Sequence, residues 1–509
     1  MKILREYLEK LRQAEMVTAY QIKEEAQEIK GLTFCSKEAV PEGMFVCKGA
    51  AFRVEYLKEA RERGCVCYVS EQEYALETDM DFIIVRDVRA AMPILAELFY
   101  HTEKLALRVT GITGTKGKTT TAFYLKAILD VWARQRGRTE TGILSSVENY
   151  DGKERVPSSL TTPEALELHR HLRNGEDAGQ SHMTMEVSSQ ALKYKRVRGM
   201  EFEVGVFLNI SEDHISPWEH EDFEDYFTSK LSIFKQARIA CVNLDSSERE
   251  RILQAARLSE RVLTFGTTGA PDIWGHDIEM SQGRISFWVR CEKFHEKFYL
   301  RMRGLFNVEN ALAAIAAAYA YGIPVECMKE GLASVQVKGR MEEFESKDKK
   351  LVTIVDYAHN RLSYEKLYDS IFQEYPGYQV VTVFGCPGNK ALNRRRDLGL
   401  IAGLYSSAVY LTTDDPGTES VTKISGEISH YVEMVGCPCI CIEDRALAIQ
   451  QAIVDAQERT VVLVLGKGNE GRQRFGNIVY DCPTDAEMVM QSMRCYDRNA
   501  MWQRGMKNA

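Results

Sequence analysis

Long apolar runs are missing from this chain. Nowhere do the roughly 20 consecutive apolar residues that span a bilayer occur, and the opening Met1-Lys2-Ile3-Leu4-Arg5-Glu6-Tyr7 lacks the apolar stretch of a secretory signal. A cytoplasmic protein without membrane insertion is expected. Basic charge is scarce too: 65 Lys+Arg stand against 73 Asp+Glu, a formal net charge of -8, which removes the electrostatic footprint of a nucleic-acid binder. Low-complexity tracts, internal repeats and long linkers are absent, so neither disorder nor a solenoid is expected. Disulfide and zinc patterns are lacking as well. The thirteen cysteines are odd in number and scattered, which suits reduced thiols. The clusters Cys65-Val66-Cys67 and Cys437-Pro438-Cys439-Ile440-Cys441 space their thiols two apart without the two-residue gap of a zinc knuckle, so buried structural cysteines are the expectation.

What is present is an ordinary folding composition, 45% hydrophobic and 27% charged, over 509 residues. That length exceeds what one hydrophobic core serves, and two to four domains are the prior. Residues 1 to about 105 read as a small α/β domain: a charged amphipathic helix over residues 6–29, then short apolar runs such as Met44-Phe45-Val46-Cys47. From Leu107 the pattern becomes strand, glycine-rich turn and helix, with further strands at 183–187, 204–208 and 240–244. Residues 310–321 are small and apolar all round, the mark of a helix buried between layers. After Lys338-Gly339-Arg340, four more apolar strands (351–355, 380–384, 408–412 and 460–465) alternate with helical stretches. The expected fold is therefore α/β in three domains, 1–106, 107–337 and 338–509, with mostly parallel sheets.

The glycine turn carries the sharpest local chemistry. In Gly111-Ile112-Thr113-Gly114-Thr115-Lys116-Gly117-Lys118-Thr119-Thr120 the backbone amides of the turn suit phosphate oxygens, and the following helix turns its positive end toward them. Lys118 adds a point charge and the Thr119 hydroxyl a magnesium ligand. Position 112 is Ile where the strict eight-residue pattern wants glycine, so a bare strand-helix turn is the bland alternative. From the turn alone, ligase, kinase and nucleotide-regulated binding protein all remain open.

Further residues follow in a definite order. Gly114 to Thr120 resembles the Mur ligase variant of the phosphate loop, with Lys116 where asparagine is usual. Thr161-Thr162-Pro163, Glu186-Val187-Ser188-Ser189, Asn209 with Asp213-His214, Tyr226 to Lys230, Asn307 to Ala311, Gly339-Arg340, Asp356-Tyr357-Ala358-His359 and Gly466-Lys467-Gly468 then match the branch that extends UDP-N-acetylmuramoyl-dipeptide. The resemblance covers about residues 31 to 485. It implies a central ATP-binding P-loop domain, a Rossmann-like C-terminal domain that closes over ATP, and amide-bond formation through an acyl phosphate.

The resemblance also implies roles. Glu186 and Thr119 would hold magnesium; His214 and a carbamylated Lys230 would hold a second ion. Read without it, a strand-end glutamate is commonly solvated, His214 is a surface histidine and Lys230 a snorkelling lysine. Gly114, Thr115, Lys116, Gly117, Lys118 and Thr120 would cradle ATP phosphates. Asn307 and Asn310 would meet adenine, Asp356 the ribose, Arg340 the phosphates, with His359 near the nucleotide; helix capping and an interface salt bridge are the structural alternatives. Ser36, Thr161, Thr162, Ser188 and Arg196 match acceptor-binding positions, although the usual Asp-Ser-Arg segment begins here with Cys35 and its following glycine-rich segment is reduced to Lys48-Gly49-Ala50. For the amino acid, Asp414, Asp415, Gly466 and Glu470 are the candidates. The arginine that pairs with the distal carboxylate of meso-diaminopimelate in the family is Gly417 here, which favours a diamino acid such as lysine. The basic stretch 390–396 is a substitute carboxylate binder or a solvated face. The expected partners are thus UDP-N-acetylmuramoyl-dipeptide and an amino acid, with ATP and Mg2+, acting on a monomer. A Mur-ligase-like enzyme extending another carboxylate, such as a folate or a specialised peptide, is the alternative.

Overall fold

The computed structural model describes residues 2–49, 52–74, 80–213, 215–216, 219–281, 284–456 and 459–507, the side chains of 499–507 excepted. Three large sheets follow one another along the chain, each with its own helices, and a two-stranded hairpin, Arg472–Phe475 with Ile478–Asp481, lies near the end. The first has five strands, four of them parallel neighbours (Gly31–Thr33, Gly43–Val46, Cys67–Ser70 and Asp81–Val85) with Val17–Gln21 antiparallel at one edge. Here the structure corrects the long first helix. It runs only over Leu4–Gln13, burying Leu4, Tyr7, Leu8 and Leu11 at helical spacing. Glu15 then takes a left-handed φ of 56°, and Val17-Thr18 begins the strand that pairs with Asp81–Val85. A β-branched stretch offered a sheet edge leaves the helix.

The central sheet has eleven strands. Parallel pairing runs from Gly142–Leu144 through His182–Glu186, Arg108–Thr113, Phe202–Phe207, Ala237–Asn243 and Arg261–Gly266 to Ile273–Ser281; antiparallel hairpins extend both ends. These strands are apolar on both faces because each face is covered. On one side lie the helices Lys118–Gln135 and Asn307–Ala320, whose Ile128, Leu129, Ala311 and Ile315 share a core with Ile112 and Val206. On the other, Leu168, Tyr226, Phe227 and Ile252 pack against Met183, Met185 and Phe207. Asn307–Ala320 is buried nearly all round, as its composition requires.

In the third sheet, Leu351–Asp356, Thr460–Leu465, Gln379–Phe384, Ala408–Leu411 and Cys439–Cys441 are parallel neighbours, and Glu342–Glu345 pairs antiparallel at the other edge. The thirteen cysteines are all free thiols. Most are covered as expected, but Cys441 is exposed. Among the described residues no helix is long and apolar enough to cross a membrane.

Candidate active site

The glycine turn owes its shape to what presses on it. Gly114 has φ 149° and Gly117 has φ 88°; a Cβ on Gly117 would stand 2.1 Å from Asn310 Oδ1, so the buried helix Asn307–Ala320 packs directly on the turn. Asn209 fixes it from the neighbouring strand end, Oδ1 accepting from Lys116 N at 2.9 Å and Nδ2 donating to Lys116 O at 3.1 Å. Lys118 Nζ curls over the turn to donate to Gly114 O at 2.9 Å, and Lys230 Nζ reaches the same oxygen at 2.9 Å. Lys230 does not snorkel. It is 1% exposed, over the Tyr226 ring, and burial together with the Lys118 charge holds its ammonium well below the usual lysine range. Burial lowers Lys118 as well, against the pull of Glu186.

Glu186 ends the strand beside the turn, paired with Ile112, and is buried. Its Oε1 accepts from Ser146 N at 2.8 Å and Ser146 Oγ at 3.2 Å, and Ser146 Oγ lies 3.0 Å from Thr119 Oγ1. Thr119, Ser146 and Glu186 thus form a row of hard oxygen donors at the helix start, which fits magnesium. Ser146 was missed from sequence. The signal was a serine two residues beyond Gly142–Leu144, the strand next to His182–Glu186. His214 lies outside the described residues.

The third sheet closes the cleft. Arg340 Nη2 donates to Thr119 Oγ1 at 3.4 Å, and its guanidinium lies 4.3 Å from the Tyr357 ring centre. Asp356 accepts from Met341 N at 2.8 Å and Ala358 N at 2.7 Å, yet burial still raises its carboxyl. His359 Nδ1 donates to Tyr357 O at 2.7 Å, which leaves Nε2 to accept from Lys116 Nζ at 2.9 Å. Burial, with Lys116 beside it, keeps His359 neutral, and burial lowers Lys116 to about 7. Asp213 joins the same contact: Arg394 donates to Oδ1 at 2.6 Å, Asn360 to Oδ2 at 2.6 Å, and Lys116 Nζ is 3.7 Å away. Asn307 and Asn310 face the cleft and bond each other, Asn310 Nδ2 to Asn307 Oδ1 at 2.9 Å. Every described nucleotide candidate except Gly114, whose carbonyl is held by Lys118 and Lys230, therefore lines one cleft between the second and third sheets.

The acceptor candidates gather behind Glu186. Thr162 Oγ1 donates to Glu186 O at 2.9 Å and accepts from Ser188 N at 3.0 Å; Arg196 Nη1 donates to Thr162 O at 3.1 Å; Thr161 faces the nucleotide cleft. Thr162 is fully buried, so its hydroxyl positions the loop. Ser36 stands apart, in the first unit, donating to Glu59 Oε2 at 2.7 Å. A smaller cavity between the first and central units brings Lys48, Arg89 and Arg196 about Glu164, with Lys48 and Arg196 at 2.6 and 2.8 Å from its carboxylate.

Tyr357, which lines the cleft, donates through its OH to Glu470 Oε1 at 2.9 Å. Lys467, 2% exposed, reaches Asp415 Oδ1 at 3.0 Å and Glu470 Oε2 at 3.4 Å. Gly466 has φ 111°, and a Cβ there would meet Asp414 Oδ2 at 2.6 Å. Burial pushes Asp414 up to about 6 although Lys467 and Arg445 pull it down. The basic stretch 390–396 does not offer loose guanidiniums: Arg394 holds Asp213, Arg395 holds Glu419 and Glu427, and Arg396 holds Asp397.

Comparison with known proteins adds to this geometry. Residues 112–318 match the Mur ligase middle domain and residues 339–468 the Mur ligase, glutamate ligase domain. Over 483 residues the chain is 35% identical to the UDP-N-acetylmuramyl-tripeptide synthetase of Lactobacillus delbrueckii subsp. bulgaricus, spanning 91% of this chain and 92% of that one. It is 34% identical over 461 residues to the UDP-N-acetylmuramoyl-L-alanyl-D-glutamate--L-lysine ligase of Enterococcus faecalis, covering 89% of each. It is 33% identical over 471 residues to the UDP-N-acetylmuramoyl-L-alanyl-D-glutamate--2,6-diaminopimelate ligase of Caldanaerobacter subterraneus subsp. tengcongensis, covering 92% and 95%. A solved UDP-N-acetylmuramoyl-L-alanyl-D-glutamate--2,6-diaminopimelate ligase shares the fold at TM-score 0.65 and 22% identity, over 97% of this chain and 99% of that one.

Proposed function

The chain belongs to the Mur ligase family, and from that premise we propose that it joins an amino acid to UDP-N-acetylmuramoyl-L-alanyl-D-glutamate, with ATP converted to ADP and phosphate. The observation that carries this reading is the shared cleft. The phosphate turn and Glu186 come from one sheet and Arg340, Asp356 and His359 from another, with Glu470 joined to the cleft through Tyr357, so in this reading nucleotide and amine meet where the two units close. In this reading the substrate carboxylate attacks the γ-phosphorus, and the amine then displaces phosphate from the acyl phosphate. Lys118, Lys116 and Arg340 offset charge on the transferring phosphoryl group, an electrostatic and positioning role without a protein nucleophile. Thr119, Ser146 and Glu186 would hold magnesium, which would supply further neutralisation of phosphate charge. Lys230, buried and disposed to be neutral, is the residue that carbon dioxide would carbamylate. Thr161, Ser188 and Arg196 receive the muramoyl-peptide, and the first unit its uridine end. Closure excludes water from the acyl phosphate. A cytoplasmic location accords with the free thiols.

For the amine we infer a diamino acid of the lysine type. Three carboxylates, Asp414, Asp415 and Glu470, suit a second ammonium. Gly417 removes the arginine of the family pattern, and Arg394, Arg395 and Arg396 are already paired with carboxylates, so none of these positions offers a guanidinium to a second carboxylate. Lysine-adding and diaminopimelate-adding relatives are equally similar, so overall identity does not choose between them. Purified enzyme with UDP-N-acetylmuramoyl-L-alanyl-D-glutamate and a panel of amino acids decides: ADP release is expected with lysine, more weakly with diaminopimelate, and absence of release with every amino acid would sink the assignment.

A further inference from the structure

We propose that Cys439 and Cys441 are a modification site, a thiol pair that a hydroperoxide closes into a disulfide, and that closure loosens the loop carrying Asp414 and Asp415. The pair sits on Cys439–Cys441, the last strand of the third sheet. Side chains two apart on a strand share a face, and the two thiols are within hydrogen-bonding reach of each other. Cys439 is half-buried and Cys441 is exposed, so an oxidant meets Cys441 first.

Reactivity concentrates there. The neighbouring Cys439 thiol holds the Cys441 sulfur below the usual thiol range, whereas burial pushes Cys241 and Cys386 up to about 12 and Cys65 up to about 11. The thiolate is the nucleophile, so exposure and charge select the same sulfur. Its sulfur attacks one peroxide oxygen; the O–O bond breaks and, with a proton, water or an alcohol leaves. The Cys439 sulfur then attacks the resulting sulfenic sulfur, losing its proton as water departs. Two thiols have lost two electrons and the hydroperoxide has gained them.

Closure has a mechanical consequence. Residues i and i+2 of an extended strand are roughly 6.6 Å apart at Cα, at the upper end of the spacing a disulfide accepts, so the bond puckers the strand. An edge strand has one neighbour to resist this. That neighbour is Ala408–Leu411, tied through Val409 N to Pro438 O at 2.9 Å and Ile442 N to Leu411 O at 2.9 Å. Immediately beyond, Glu443 O accepts from Thr412 Oγ1 at 3.2 Å and Thr413 Oγ1 at 2.5 Å, and the next two residues are Asp414 and Asp415. Displacing Glu443 therefore releases the threonines that seat the two carboxylates. That this alters amine binding rests on the function proposed above; the thiol chemistry does not.

The test treats the full chain with hydrogen peroxide near stoichiometry, quenches by alkylation and maps peptides by mass. A Cys439–Cys441 disulfide, reversed by dithiothreitol, is expected at least tenfold sooner than oxidation at the half-exposed Cys35, Cys482 or Cys495. Cys439→Ser is expected to accumulate a dimedone-reactive sulfenic acid at Cys441. Hydrogen exchange across residues 408–416 is expected to quicken severalfold on oxidation in the unsubstituted chain and not in Cys439→Ser. Oxidation at Cys35, Cys482 or Cys495 as fast as at the pair overturns the site, and unchanged exchange overturns its coupling to the loop. Neither readout needs turnover, so a failure of the ligase assignment is told apart.

Discussion

The two sides of Tyr357 gather side chains of opposite kind, basic on one and acidic on the other. At the glycine turn Lys116, Lys118, Lys230 and Arg340 gather about Glu186 and Asp213; some residues away, across Tyr357, the carboxylates of Asp414, Asp415 and Glu470 gather about Lys467. Charge withdrawn from water is costly unless paired, so each end is completed by a ligand of the other sign, polyphosphate at one and ammonium at the other. Tyr357 joins them: its ring stacks on Arg340, its hydroxyl holds Glu470, and its carbonyl fixes His359. One residue thereby sets the spacing between phosphoryl transfer and amine attack.

The comparison is broken most severely at Lys230. Its amine, which burial disposes to be neutral, lies among the basic side chains and donates to Gly114 O, where a metal-binding group has to be an anion. Carbamylation would supply that anion by giving the neutral amine a negative charge. Lys230→Ala is expected to lower turnover by about 10²- to 10³-fold, the scale of losing a preorganised electrostatic group. Added formate or acetate, entering the space of the carbamate, is expected to restore part of it in steady-state ADP release. An unimpaired variant, or one that short carboxylates leave unchanged, would refute the carbamate and leave Lys230 as a positioning amine.

The two ends also differ in how openly the sequence displays them. The glycine turn was legible because its chemistry is local: strand, turn, Lys118 and Thr119 are contiguous, and the turn forms wherever glycine permits the left-handed backbone. Glu186 and Lys230 were legible only as members of an ordered series, since nothing near Lys230 tells that its amine is buried. Ser146 stayed hidden because it matters through strand adjacency, which no spacing encodes. The misread first helix has a related cause: residues 14–29 have a tolerable helical pattern, but Val17-Thr18 finds a partner in Asp81–Val85, more than sixty residues on. The amine end was legible as residue types and not as pairing. The arginines at 394–396 read as candidate carboxylate binders until Asp213, Glu419, Glu427 and Asp397 were seen to hold them.

Whether the ends are separable is sharpened by Glu470→Gln. The amide keeps the shape and can still accept from Tyr357 OH, so Arg340 and the nucleotide end stay in place. Losing the charge removes one of the three carboxylates offered to an ammonium. The KM for the amino acid is expected to rise about 10-fold or more while the KM for ATP changes less than about 2-fold, since a charge-assisted hydrogen bond contributes about 1.5–3 kcal/mol. Equal rises in both constants would mean that the ends act as one electrostatic unit.

The smallest effect is expected at Lys116, and it probes the cationic end alone. Burial brings this ammonium down to about 7, more than the attraction of Asp213 restores, and its contact with His359 Nε2 needs only one N–H. Above about pH 7 the nucleotide-free protein therefore carries Lys116 neutral, and a polyanion that prefers the charged form must bind together with a proton. Nucleotide affinity should fall as pH rises through that value, by at most tenfold per unit because one proton is involved. Lys116→Asn removes the titrating group and is expected to weaken ADP binding a few-fold at about pH 6.5, with little difference from the unsubstituted chain at about pH 8.5. Titration calorimetry in buffers of different ionisation enthalpy reads the proton directly. Proton uptake that persists in Lys116→Asn would assign it to another group in the contact, and the cationic end would then owe its charge to Lys118 and Arg340.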